Sequence, residues 1–216
     1  MKNQVLRKPF TLIEIMTVIV IAAILFGIGI PAFTTMIQGS SMTAAIRQLS
    51  AKIQAARAYA VTHRCKVALL LVETESGNLD YRYSAYRVCV VDSSNAFQEW
   101  IEDENWKTLP KGVLRAKILE SDKFESITID ISSLGGSNSV SVYALVFKDN
   151  GQLTKASPKI RLIQGRYVGG TKPVAFTERT GDGKIINHPI EVNQYSGKVK
   201  VCDIDEKTDK QMDPED

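Results

Sequence analysis

Lys8-Pro9-Phe10-Thr11-Leu12-Ile13-Glu14 runs directly into the apolar segment from Ile15 to Ile30, and this junction decides how the rest of the chain is read. From Phe10 to Phe33 the only charge is Glu14. As a helix rising about 1.5 Å per residue, that segment reaches roughly 36 Å, enough to span the hydrocarbon of a bilayer. A charge deep in a bilayer costs roughly 2.5–3.5 kcal/mol on insertion scales, so Glu14 calls for a positive partner. Lys2, Arg7 and Lys8 precede the segment with no acidic residue among them. That imbalance orients a short leader toward the cytoplasm and sends the remainder across the membrane in a single pass.

An ordinary secretory signal peptide shares the basic start and apolar centre. Two details count against it: an acidic residue heads the apolar run, and the run ends at Pro31-Ala32-Phe33 without a small-x-small cleavage site.

Phe10-Thr11-Leu12-Ile13-Glu14 followed by an apolar helix resembles the signature of type IV pilin-like proteins, the pilins and pseudopilins. The resemblance implies that a prepilin peptidase cuts between Pro9 and Phe10 on the cytoplasmic side and that the new Phe10 amine is methylated. It also implies that Glu14, the fifth residue of the mature chain, pairs with the Phe10 ammonium of a neighbouring subunit, which supplies the partner that solvation demands. Pro31 falls where many pilins carry a helix-loosening proline. A proline inside a helix removes one backbone hydrogen bond and crowds the preceding turn, so a local kink is expected there. The chain departs from the family at Pro9, since Gly usually precedes the cut.

Beyond Pro31, Met42, Ile46, Leu49, Ile53, Ala56 and Ala60 recur at spacings of four and three, one face of a helix, with Arg47, Lys52, Gln54 and Arg57 on other faces. A helix read from Phe10 to about His63 is on the order of 80 Å long. Its first half reads as anchor and its second as a scaffold packed on a sheet. From Cys65 the pattern turns to β. Strands are predicted at Lys66–Val72, Tyr81–Val91, Val113–Leu119, Ile127–Ile131, Val140–Phe147, Ile160–Gln164, Ile190–Val192 and Lys198–Ile204. A loop is expected across Ser76-Gly77-Asn78, and hairpin turns at Asp149-Asn150-Gly151 and Tyr195-Ser196-Gly197. The expected fold class is α+β: a long N-terminal helix, membrane-spanning in its first half, packed on antiparallel sheets. The expected divisions are a leader at 1–9, a transmembrane and assembly helix at 10–33, and one periplasmic domain at 34–216. That domain comprises an amphipathic helix at 34–63, a β-rich part at 65–204 and an acidic tail at 205–216. With 216 residues, 44% of them hydrophobic, the chain can bury one substantial core.

Within this domain the resemblance sharpens toward the GspH/FimT branch, the H-type minor pseudopilins and their pilus relatives. It rests on Leu49-x7-Arg57-Ala58-x-Ala60-x3-Arg64-x2-Val67, on Phe147-x3-Gly151, and on Ile190-Glu191-Val192-Asn193-x3-Gly197-Lys198-Val199-Lys200-Val201. Trp106-x2-Leu109-Pro110-x-Gly112-Val113 fits the middle segment of that branch.

Little else in the chain suggests chemistry. His63 and His188 stand outside any zinc spacing, the first near a helix end and the second in a loop before Pro189. Gly181-Asp182-Gly183-Lys184 lacks the phosphate-loop spacing and reads as a turn. Asp203, Asp205, Glu206 and Asp209 lack the glycine and closing Glu of a calcium loop and read as a solvated tail. No metal and no cofactor is expected, and no enzymatic activity. Cys65, Cys89 and Cys202 would be exported to an oxidising compartment where one disulfide is permitted, leaving one thiol over; the sequence does not choose the pair.

The formal charge is +3, and the basic residues are scattered. Asp203 to Asp216 contains seven acidic residues against two lysines, a tail that repels phosphate and argues against DNA as a partner. Lys198, Lys200, Arg161 and Arg166 form the one basic patch expected on neighbouring strands. The expected partners are a prepilin peptidase, other pilins or pseudopilins, and the inner membrane. The expected role is a minor subunit of a type II secretion pseudopilus or a type IV pilus that supports protein secretion. A DNA-binding FimT-like pilin of natural transformation and a tip or adhesin pilin with loops around Trp100, Trp106 and Gly169-Gly170 are the alternatives.

Overall fold

In a computed structural model the described residues are 11–73, 81–116, 118, 122–130, 139–156, 158–167, 173–174 and 186–202; the side chains of 28–39, 166–167 and 173–174 lie outside the description. The chain divides into two units, Met1–Ser40 and Ser41–Asp216. One helix, α1, runs from Leu12 to His63, 52 residues, or about 78 Å at the standard rise. It continues through Pro31 without interruption, so Pro31 is not a helix boundary; the loss of a single backbone bond does not by itself end a helix this long.

The second half of α1 buries Met42, Ala45, Leu49, Ile53, Ala56 and Ala60. Ala45 takes the place expected of Ile46, which is only partly buried at the side of the stripe. Because 3.6 residues make a turn, a stripe stepping by three and four drifts, and here the small Ala45 is the residue fully buried. The helix ends with Arg64 in the left-handed region at φ 50 and with the Cys65 amide donating to the Ala60 carbonyl at 3.3 Å. This closes the helix end with the six-to-one bond more often made around a glycine.

The β-rich part contains β1 (Lys66–Leu71), β2 (Ala85–Val91), β3 (Phe97–Trp100), β4 (Lys107–Thr108), β5 (Val113–Arg115), β6 (Glu125–Asp130) and β7 (Ser139–Phe147). It continues with β8 (Lys159–Gln164), β9 (Arg166–Tyr167), β10 (Pro173–Val174), β11 (His188–Val192) and β12 (Val199–Val201). Every pairing among them is antiparallel. The first sheet has the order β3-β2-β1-β7-β6, with β4 also on β2; the second has the order β12-β11-β8-β5; β9 and β10 form a separate pair. The α+β class and the antiparallel sheets agree with the sequence reading.

β1 is the central strand of the first sheet and reads Lys-Val-Ala-Leu-Leu-Leu because both of its faces are covered. Val67, Leu69 and Leu71 join α1, Val88, Leu145 and Phe147 in one cluster, which also takes Ile160, Leu162, Ile190 and Val192 from the second sheet. Ala68 and Leu70 face the other way, into a second cluster with Cys89, Ile127, Ile129 and Val146. Edge strands β3 and β6 of this sheet approach each other, so the sheet curls around that second cluster.

Several predicted strands are displaced. Tyr81–Ser84 forms a turn, with Tyr83 at φ 51, rather than the start of β2. His188 and Pro189 belong to β11, where they pair with Leu162 and Arg161, and not to a loop. β3 and β4 were not predicted: their charged and polar residues break the alternation by which a strand is recognised, and they are held by pairing with β2. The loop at Ser76-Gly77-Asn78, the Gly181–Lys184 turn, Gly169-Gly170 and the acidic residues from Asp203 onward lie outside the described residues.

Candidate assembly helix and its clasp

Thr11 precedes the first helical residue, and its hydroxyl accepts the Glu14 amide at 3.3 Å. Its carbonyl accepts the same amide at 3.1 Å and that of Ile15 at 3.3 Å. Glu14 is exposed in the first turn, where a carboxylate is favoured by the helix dipole. The Thr17 hydroxyl donates back to the Ile13 carbonyl at 2.6 Å and to that of Glu14 at 3.1 Å. Thr11-x-x-Glu14 has the spacing of a capping box, a helix-start signal local to the sequence.

Behind this cap the helix is apolar on every side and uncovered. Leu12 is 78% exposed, Ile19 62%, Leu25 65% and Phe26 66%, and from Ile15 to Phe26 every residue but Thr17 is apolar. A helix that is hydrophobic all round requires an apolar environment, either lipid or other helices. Among the described residues no helix is long and apolar enough to cross a membrane. The span expected at 10–33 extends past that description at both ends, since Phe10 and the side chains from Ile28 to Phe33 lie outside it. Pro9 and Phe10, the expected cleavage and methylation residues, also lie outside it.

The segments that carry the GspH/FimT resemblance meet at the other end of α1. Arg57 Nε donates to the Gly151 carbonyl at 3.1 Å, and Gln54 Nε2 donates to the Gly197 carbonyl at 2.9 Å. Both glycines sit in the predicted hairpin turns and have positive φ, 77 and 61. Asn193 builds the second turn, its Oδ1 accepting the Tyr195 and Ser196 amides at 3.1 and 2.9 Å. On the opposite flank Lys52 forms an ion pair with Glu104, and Gln48 donates to the Thr108 carbonyl at 3.2 Å. The scaffold half of α1 is thus clasped on both sides.

Glycine is required at 197 for two reasons. A side chain there would adopt the left-handed conformation, at roughly 1–2 kcal/mol for an ordinary residue. A Cβ would also overlap Arg57 Cδ and come within 2.7 Å of Arg57 Nε. Gly197→Ala is therefore expected to cost about 2–3 kcal/mol, as the strain adds to a displaced Arg57 and its lost hydrogen bond. Thermal unfolding of the full chain in detergent checks this, and an unchanged midpoint would contradict it.

All three cysteines are free thiols. Cys65 packs on the helix-facing cluster and Cys89 lies in the cluster on the other face of the same sheet, so the permitted disulfide is not formed between them. Cys202 is elsewhere, after β12 in the second sheet, with its Sγ donating to Glu191 Oε2 at 3.7 Å. Burial pushes the Cys89 thiol up to about 12 and also raises that of Cys65, where Glu99 adds to the effect. Only the thiolate is nucleophilic, so at pH 8 iodoacetamide is expected to leave Cys89 unlabelled in folded protein and to modify it after unfolding, as read by peptide mass spectrometry. Unfolding releases this proton near the ordinary thiol value. The stability tied to Cys89 is therefore present below about pH 9 and lost as pH rises toward about 12.

The basic patch expected on neighbouring strands does not assemble. Arg161 is buried and its Nη1 contacts both oxygens of Asp122, at 2.6 and 2.5 Å. Lys198 and Lys200 are exposed, and the Arg166 side chain lies outside the description. Trp100 and Trp106 are half-buried and meet edge to face at 5.7 Å, with the Arg87 guanidinium 3.8 Å above the Trp100 ring. Their rings pack against the second cluster. His63 stacks on Tyr59 at 3.8 Å, and among the described residues no group of His, Cys, Asp and Glu converges on a metal position.

No family model matches the chain, and no curated protein matches it. Among solved structures, the chain is similar to the type IV minor pilin FimU of Pseudomonas aeruginosa, with 14% identity and a TM-score of 0.43 over 81% of this chain and 96% of that one. It is also similar to the minor pseudopilin EpsH from the type 2 secretion system of Vibrio cholerae, with 12% identity and a TM-score of 0.36 over 73% of this chain and 92% of that one.

Proposed function

We propose that this chain is a non-enzymatic minor pilin or pseudopilin of the GspH/FimT kind. In this reading it is anchored in the inner membrane by the first half of α1, with its N-terminus cytoplasmic and its β-rich part periplasmic. The observation that carries the reading is the junction of Glu14 with an all-round apolar, uncovered helix that continues unbroken into the clasped scaffold half. Such a helix is stored in lipid and then exchanges lipid for the helices of neighbouring subunits. Association there rests on van der Waals packing and on satisfying the one charge it carries. After hydrolysis of the Pro9–Phe10 bond, the Phe10 ammonium of one subunit is the cation that meets the Glu14 carboxylate of the next. The subunit then enters a type II secretion pseudopilus or a type IV pilus and supports protein secretion. The expected N-terminus of protein extracted from its native membrane, read by intact mass and N-terminal sequencing, is methylated Phe10. A retained Met1 would leave Glu14 without its partner and overturn the assembly mechanism, and a start near Ala32 would make the chain a secreted soluble protein.

A further inference from the structure

On β2, Arg87 alternates with Ala85 and Cys89 and so belongs to the face of the first sheet that carries the second cluster, away from α1. Its guanidinium lies 3.8 Å over the Trp100 ring and 5.9 Å from that of Trp106. No carboxylate pairs with it among the described residues, and its Nε is buried without a hydrogen-bond partner. Burial lowers the pKa of this guanidinium, the mark of a cation that has lost water and is met by aromatic faces alone. The acids nearest in sequence serve the other face of the sheet. Glu99 stands in register with Val90 and acts on Cys65, and Glu104 is paired with Lys52 of α1. Across the sheet the row Arg87, Leu70, Ala144, Glu125 ends in a carboxylate three strands away, which faces Lys155 at 3.8 Å.

We propose that Arg87, Trp100 and Trp106 form a binding site for an acidic sugar, a pyranose bearing a carboxylate: Arg87 takes the carboxylate and the indoles take the ring. An arginine stacked on an indole keeps its N–H edge free in the plane of the stack, and that edge matches a carboxylate with two parallel hydrogen bonds. The anion supplies the charge that Arg87 lacks. Trp100 and Trp106 are half-buried and meet edge to face, so two differently oriented indoles border the guanidinium and can pack against the C–H groups of a ring. An acidic peptide fits less well. Edge strands β3 and β6, which flank this face, come within 8 Å of each other, whereas a strand inserted between them needs roughly 10 Å. The site is independent of the assembly reading, whose residues lie in α1.

Trp100 and Trp106 are the two tryptophans of the chain, so the intrinsic fluorescence of the full chain in detergent reports on this site. Titration with D-glucuronate is expected to give a saturable change in the millimolar range. D-glucose and acetate, each carrying half of the recognised chemistry, are expected to bind at least about tenfold more weakly. Arg87→Lys keeps the charge but loses the planar fork, and it is expected to weaken glucuronate binding about tenfold. Trp106→Phe keeps an apolar ring of smaller face and is expected to weaken it about threefold. Thermal unfolding shows that each variant is folded before it is titrated; should Arg87→Lys unfold, Trp106→Phe carries the test, and an unchanged affinity there overturns the proposal. No saturable change in the wild-type chain, or an Arg87→Lys curve that matches wild type, makes the stack a structural contact and overturns the site. Acetate binding as tightly as glucuronate overturns the sugar as ligand.

Discussion

Asp122→Ala is expected to lower the melting temperature of the full chain in detergent by about 10 °C, the largest loss from any single substitution outside the apolar core. The side chains of Asp122 and Arg161 are 3% and 8% exposed, and the guanidinium contacts both carboxylate oxygens. Truncating the acid leaves a cation in a site that Leu114, Ala116 and Ile163 make apolar nearby. An uncompensated buried charge costs about 3–5 kcal/mol, whereas replacing both partners with apolar groups is often neutral. Asp122→Leu combined with Arg161→Met should therefore recover most of the loss. If the single variant melts like wild type, Arg161 is reached by water and the pair contributes little.

Glu14→Gln is expected to insert in the membrane at wild-type levels but to enter filaments at least about tenfold less well, as measured by crosslinking in cells. Two opposite charges about 4 Å apart at an effective dielectric of 20 attract by about 4 kcal/mol, part of which is spent on desolvation. Glutamine is the informative replacement because it also occupies the third position of a capping box. It keeps the size and hydrogen-bonding capacity of the side chain at the helix start while removing the charge, together with the charge's small interaction with the helix dipole. Incorporation of the Glu14→Gln chain at wild-type levels would sink the ion-pair mechanism. Loss with Glu14→Ala alone would then assign the residue to capping the helix.

The helix was legible because a period of 3.6 and the absence of charge from Ile15 to Phe33 are properties of the chain alone, as is the turn chemistry that puts glycine at 151 and 197. The strands with continuous or alternating apolar residues were legible for the same reason, within a few residues at their ends. β3 and β4 were not, because short polar edge strands are specified by the neighbour they pair with. Nor could the sequence say which cysteine faces which side, since a one-residue change of register reverses a strand's faces.

At the candidate site, the sequence by itself determined the carboxylate at the head of an apolar helix and the residue types at each turn, all of which are local in the chain. Tertiary structure alone decided that Arg57, Gly151 and Gly197 meet, and that Arg161 turns inward to Asp122 instead of joining Lys198 and Lys200. It also placed Cys65 against the cluster on one side of the first sheet and Cys89 in the cluster on the other. The reason is physical: these are contacts between segments far apart in sequence, set by sheet order and register, and a side chain's charge or type does not reveal the partner it will be buried against.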